Sequence, residues 1–180
     1  MLPEANVVLR GRLFDRLDAG SSGSVTLVSA PAGYGKTSLI AAWLQRIETP
    51  SGWYSIDDSD NDPGRFLGYL VTALQTIEPE LGAGLLEMLE APEAPEIEGL
   101  MALLANELAD LDRELVLVLD DVHVLDNAPI VSSLAFLVDN LPRTLRLVLL
   151  SREDPSVPLS RLRARGRLTE IRAGDLCFAD

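Results

Sequence analysis

Apolar positions along the chain follow two rhythms. Leu115-Val116-Leu117-Val118-Leu119 and Leu145-Arg146-Leu147-Val148-Leu149-Leu150 are nearly continuous apolar runs, as strands buried on both faces require. Val25 to Ser29 is shorter, apolar and β-branched, with the same meaning. The pattern predicts strands at 25–29, 53–57, 115–120, 145–150 and 168–172. Between them apolar residues recur at helical spacing, as in Leu39, Ile40, Trp43, Leu44 and Ile47, or Phe66, Leu70, Ala73, Leu74 and Ile77. Helices are predicted over 36–47, 63–77, 98–111 and 129–140, with a short one near 158–165. Pro63 suits a first helical turn, where its missing N–H costs nothing. The stretch 78–98, with Glu90-Ala91-Pro92-Glu93-Ala94-Pro95-Glu96 in it, reads as a surface excursion between helices. Strands alternating with helices imply βαβ units and an open α/β sheet, in which ligands lie at the carboxyl ends of the strands.

The strongest chemical signal sits after the first predicted strand. Residues 30–37 read Ala-Pro-Ala-Gly-Tyr-Gly-Lys-Thr. This is a Walker A phosphate loop, G-x-x-x-x-G-K-[ST], with Ala30 in place of the first glycine. Gly33 and Gly35 permit the backbone conformations that turn successive N–H groups toward phosphate oxygens. Lys36 supplies a point charge for the β- and γ-phosphates, and Thr37 a hydroxyl for Mg²⁺. The helix that starts here adds the positive end of its dipole. Ala32, Gly33, Tyr34, Gly35, Lys36, Thr37 and Ser38 form the candidate nucleotide-binding set.

Two further strand tips carry candidate chemistry. Leu115–Leu119 ends in Asp120-Asp121, a Walker B arrangement in which Asp120 would hold Mg²⁺ opposite Thr37. Asp121 has two readings: orienting or activating an attacking water, or capping the next turn. The run 145–150 ends in Ser151-Arg152-Glu153-Asp154. The planar donor fork of Arg152 suits γ-phosphate oxygens; the competing reading is a surface ion pair with Glu153 or Asp154. Lys36, Asp121 and Arg152 are thus the candidate catalytic residues, and Thr37 and Asp120 the candidate metal ligands.

Two other patterns resemble sites and are read otherwise. Asp58-Ser59-Asp60-Asn61-Asp62 has the alternating acids of a calcium loop, but Pro63 stands where glycine is required and Tyr69 where the closing Glu is required. Residues 57–62 read as a strand end, a turn and a helix cap. His123, the single histidine, lacks partners at zinc spacing and reads as a packing or supporting residue. Trp43 and Trp53 read as core or partly buried aromatics.

Composition narrows the setting. The chain has 180 residues, which suits one domain. No apolar run reaches the ~18 residues of a membrane span, and Met1-Leu2-Pro3-Glu4 does not begin a secretory signal. One cysteine, Cys177, excludes an intrachain disulfide and favours a reducing, cytoplasmic setting. A formal net charge of -13 argues against this segment gripping nucleic acid. Arg161, Arg163, Arg165 and Arg167 read as a solvated helix and turn.

Together these motifs resemble the N-terminal nucleotide-binding domain of MalT-like, LuxR-type ATP-dependent transcriptional regulators, within the STAND class of NTPases. The resemblance rests on Ser29 to Thr37, Trp53-Tyr54-Ser55-Ile56-Asp57, Asp60-Asn61-Asp62 with Arg65-Phe66, Val118 to His123, Ser151-Arg152-Glu153, Leu162 to Arg165, and Leu168 to Ile171. It implies a P-loop NTPase three-layer α/β sandwich whose five-stranded parallel sheet has the order 5-1-4-3-2. It also implies an ATP/ADP switch: ADP marks rest, ATP drives self-association, and slow Mg²⁺-dependent hydrolysis resets it. The segment before the first strand would contact the base, with Val8 and Arg10 as base and ribose neighbours. Residues 1–180 would form a single NTPase domain, a fragment of a larger regulator. DNA contact would then belong to a C-terminal domain that this chain lacks. Two other functions compete: a turnover ATPase or kinase-like enzyme, and a non-catalytic interaction module with a vestigial loop.

Overall fold

Five parallel strands run through the centre of the molecule: β1 (Val25–Ser29), β2 (Ser51–Ser55), β3 (Leu115–Asp120), β4 (Leu145–Ser151) and β5 (Leu168–Arg172). In the computed structural model, which describes residues 4–20, 23–91 and 95–177, their order is β2-β3-β4-β1-β5. This is the order the family resemblance implied. Eight α-helices are present among the described residues: α1 (Glu4–Asp18), α2 (Lys36–Leu44), α3 (Pro63–Gln75), α4 (Ala83–Glu90), α5 (Ile97–Ala109), α6 (Ala128–Asp139), α7 (Leu159–Ala164) and α8 (Ala173–Leu176).

Side-chain alternation along the strands builds three layers. Leu115, Leu117 and Leu119 of β3 join a core with Phe66 and Leu70 of α3, Leu104 of α5 and Leu134 of α6. Val116 and Val118 join a second core with Leu13 and Leu17 of α1 and Ile40 and Trp43 of α2. Every residue of β3 is buried, which explains why its sequence carries no polar alternation. Each fully buried Leu contributes about 1.5–3 kcal/mol of transfer free energy, so the two faces of β3 anchor both layers.

Parallel register brings the strand tips level. Ser29 of β1 pairs with Ser151 of β4, and Ser55 of β2 pairs with Asp120 of β3. The loops that follow these tips therefore meet at one edge of the sheet.

Several boundaries differ from the sequence reading. β2 covers residues 51–55, not 53–57. Its ladder begins with Val116 N–H donating to Pro50 and ends with Ile56 N–H donating to Asp120. Beyond it Asp57 turns the chain into the short 3-10 turn Asp58–Asn61 by accepting from Ser59 N–H. α2 stops at Leu44, three residues short of Ile47, and a turn at Gln45 and Arg46 follows it. The stretch 78–98 is not wholly an excursion: Gly82 enters α4 with φ 70°, and Leu85 is buried beneath it. Residues 92–94 of its Pro/Glu run lie outside the described residues. α1 and α8 carried no prediction.

The arginine cluster is largely absorbed by the fold. Arg161 pairs with Asp139 at 2.8 Å and Arg163 with Glu170 at 2.9 Å, while Arg167 donates to the Leu141 carbonyl. Among the described residues no helix is long and apolar enough to cross a membrane.

Candidate nucleotide-binding site

The loop between β1 and α2 is built from two left-handed glycines. Gly33 has φ 85° and Gly35 φ 76°, and a Cβ at either would meet nothing within 4 Å. Glycine is needed here for its conformation, not for space. Ala30 needs no such freedom. Its side chain is buried in the core beside Val28 and Leu39, and its N–H donates to Ser151 O at 3.2 Å. The alanine at the first motif position is thus a packing residue that seats the loop on β4.

The start of α2 leaves donors for an anion. Gly35 is its N-cap and supplies no side-chain acceptor, and no acid lies in the first turn. The first N–H groups of such a helix have no intrahelical partner and carry the positive dipole end. Ala32, Gly33, Tyr34 and Gly35 are exposed around this end, as are Thr37 and Ser38. Lys36 is buried, and its ammonium donates to Ala30 O at 2.7 Å and Pro31 O at 3.2 Å. An ammonium has three donors, so one remains beyond these two bonds.

Across the strand tips, Thr37 Oγ1 donates to Asp120 Oδ2 at 3.0 Å. Asp120 Oδ1 accepts from Asp121 N–H at 3.0 Å. Burial pushes the Asp120 carboxyl above the usual carboxylate range, and the neighbouring Asp121 adds to the rise; the Thr37 hydroxyl and the Lys36 charge oppose it. A buried carboxylate of this kind gains from a nearby cation. Magnesium needs few protein ligands, because phosphate oxygens and waters complete its octahedron. A hydroxyl and one carboxylate, side by side at the loop, fit that donor set. Among the described residues no group of three or more His, Cys, Asp or Glu is arranged to hold a metal ion.

Asp121 has φ 60°, the one described non-glycine residue in the left-handed region. Its carboxylate lies 3.9 Å from Arg152 Nε and 3.7 Å from His123 Nδ1. Arg152 thus faces Asp121, while Asp154 pairs with Arg172. Ser151, next to Arg152, is fully buried and its hydroxyl has no hydrogen-bond partner among the described residues. Lys36, Thr37, Asp120, Asp121 and Arg152 are therefore brought to one edge from three separate strand ends. Val8 and Arg10 fall on α1, but their side chains lie outside the described residues.

Asp57, Asp60 and Asp62 are spent locally, in line with a strand end, turn and helix cap. Asp60 accepts from Asp57 N–H at 2.9 Å and pairs with Arg65 at 2.9 Å, and Asp62 caps α3 through Arg65 N–H. Asn61 was not singled out as a site residue, yet its side chain reaches the loop beyond Asp121. Its neighbours there are distant in sequence, and no local pattern announces them.

A parallel sheet with this order, a glycine loop opening α2 and a buried lysine within that loop define a P-loop NTPase domain. The AAA ATPase domain family matches residues 9–150, and the chain belongs to that family. Within it the chain is MalT-like. It is 38% identical over 173 residues to the HTH-type transcriptional regulator MalT of Serratia proteamaculans, covering 96% of this chain and 19% of that protein. The MalT of Cronobacter sakazakii gives the same identity and coverage, and that of Klebsiella pneumoniae 36% identity. The chain therefore spans about a fifth of the length of these relatives. Among solved structures, the Orc1 protein of Aeropyrum pernix, in complex with DNA, superposes with a TM-score of 0.58 at 18% identity. That match covers 96% of this chain and 45% of Orc1, and bears on the fold alone.

Proposed function

We propose that this domain binds ATP and ADP with Mg²⁺ and acts as the nucleotide-state switch of a signal-responsive transcription activator, hydrolysing ATP slowly. The observation that carries this reading is the 3.0 Å contact of Thr37 Oγ1 with Asp120 Oδ2 beside the glycine loop. The loop N–H groups and Lys36 take the phosphates. Thr37 and Asp120 hold Mg²⁺, which neutralises charge on the β- and γ-phosphates. Arg152 contacts the γ-phosphate, and Asp121 orients the attacking water. Val8 and Arg10 lie beside base and ribose. The domain belongs to a larger cytoplasmic regulator, which self-associates when ATP is bound and contacts DNA through a C-terminal domain outside this chain.

Thermal unfolding with ATP, with ADP and without ligand, each with and without Mg²⁺, tests the reading. A nucleotide at a hundred times its Kd stabilises a fold by about 2.7 kcal/mol. For a chain of this size that raises Tm by roughly 5–10 °C. A folded sample whose Tm responds to neither nucleotide overturns the proposal. Fast steady phosphate release, lost in Lys36→Ala, would instead mark a turnover enzyme.

A further inference from the structure

The turn that carries Asp121 is gripped at both ends by one segment. Before the turn, Ile56 N–H donates to Asp120 O at 3.0 Å. After it, Asn61 Oδ1 accepts from Asp126 N–H at 2.9 Å and Asn127 N–H at 3.2 Å. Asn61 Nδ2 donates to Val124 O at 3.0 Å, and Asn61 O accepts from Asn127 Nδ2 at 3.0 Å. Between the grips lie Asp121, at φ 60°, and the 3-10 turn Val122–Val124, closed by Val124 N–H donating to Asp121 O.

A left-handed non-glycine residue persists only where its surroundings over-determine it. Here Ile56 and Asn61 supply those of its surroundings that come from outside the turn's own strand and loop on the β2 side. We infer that Asn61 is a positioning residue for Asp121: with Ile56 it forms a clasp that sets where the Asp121 carboxylate stands against Arg152 and His123. Asparagine is the side chain the site requires. One face accepts two N–H groups while the other donates to a carbonyl. An aspartate loses the donor and sets a negative charge against Val124 O. This inference rests on the reading of Asp121 as the water-orienting acid.

The test uses the full chain with Asn61→Ala and Asn61→Asp. Asn127→Ser serves as a milder variant that keeps a hydroxyl for Ile130 N–H and drops the donor to Asn61 O. His123 is the single histidine, so its ring resonances report on the surroundings of Asp121 without overlap. The clasp predicts displaced or broadened His123 ring signals in all three variants. It predicts Mg·ATP affinity within about threefold of the parent and single-turnover hydrolysis slowed roughly tenfold or more, as misplacement of a reacting group by ~1 Å implies. Adding Asp121→Asn to Asn61→Ala then costs roughly tenfold less than the same change costs in the parent. Unchanged His123 signals overturn the inference, as does a hydrolysis rate that falls only in step with affinity. A parent chain that binds no nucleotide overturns the proposed function instead, and the His123 spectrum still decides the clasp.

Discussion

Thr37 Oγ1 and Asp120 Oδ2 meet at 3.0 Å although 83 positions separate them in the chain. The pair joins the first turn of α2 to the tip of β3, two elements with no sequence neighbourhood in common. It makes the loop and the acid parts of one site.

Lys36 is the first place to test that site. Its ammonium already satisfies Ala30 O and Pro31 O, so Lys36→Ala removes both a phosphate contact and a brace of the loop. A hydrogen bond from a charged donor is worth about 1.5–3 kcal/mol. ATP affinity, measured by titration calorimetry, should fall roughly 10- to 150-fold, and nucleotide-dependent thermal stabilisation should vanish at ordinary ATP concentrations.

Asp120→Asn should separate stability from function. The folded-state pKa of Asp120 is raised, chiefly by burial, so folding favours its protonated form. The resulting penalty is absent below the unfolded pKa, appears as pH rises through the folded pKa, and is full above it. Removing the charge should therefore stabilise the ligand-free fold at neutral pH. The gain should fade toward about pH 4, where the parent acid is protonated as well. Urea unfolding at the two pH values reads this difference, and loss of Mg²⁺ dependence in nucleotide binding reads the functional cost.

The backbone at Asp121 predicts opposite stability effects for two small residues. Gly adopts φ 60° without strain, whereas Ala pays a left-handed penalty of about 1 kcal/mol. Asp121→Gly should unfold at a Tm no lower than the parent, and Asp121→Ala at a lower one. Both should lose hydrolysis in a single-turnover assay, because both lack the carboxylate.

Gly52 marks a close approach of the sheet to its helical cover. A Cβ there would stand 2.5 Å from Ala73 O on α3, and backbone cannot yield as a side chain does. Gly52→Ala should cost roughly 1–3 kcal/mol by overpacking. Chemical denaturation measures it, and nucleotide affinity at saturating stability should be unaffected.

Much of this architecture is legible in the sequence. The apolar runs of β3 and β4 cannot be exposed, and the glycine spacing of 33 and 35 has few other uses. β2 slipped by two residues because Ile56 and Asp57 continue its apolar-polar rhythm, while the ladder ends where Asp57 caps a turn. α1 was passed over although Leu13, Phe14 and Leu17 carry helical spacing; its charged residues and Gly11 masked a face that buries only those three among its described side chains. α4 was hidden by the glycines and prolines around it. The partner of Arg152 could not be read from its neighbours in sequence, since Asp121 reaches it from another strand. The same holds for Asn61, whose role exists only once residues 124–127 are folded against it.

The alternation of β3 reaches further than packing. Asp120 shares the parity of Val116 and Val118, the residues that face α1 and α2, and so its carboxylate arrives on the side where Thr37 waits. A shift of one position would send that carboxylate toward α3 and α6 and present Leu119 to the hydroxyl. Exchange of one strand leucine for another aliphatic residue leaves the site intact. Gain or loss of a single codon between Leu115 and Asp120 does not, and this stretch of the gene is open to substitution but closed to insertion and deletion.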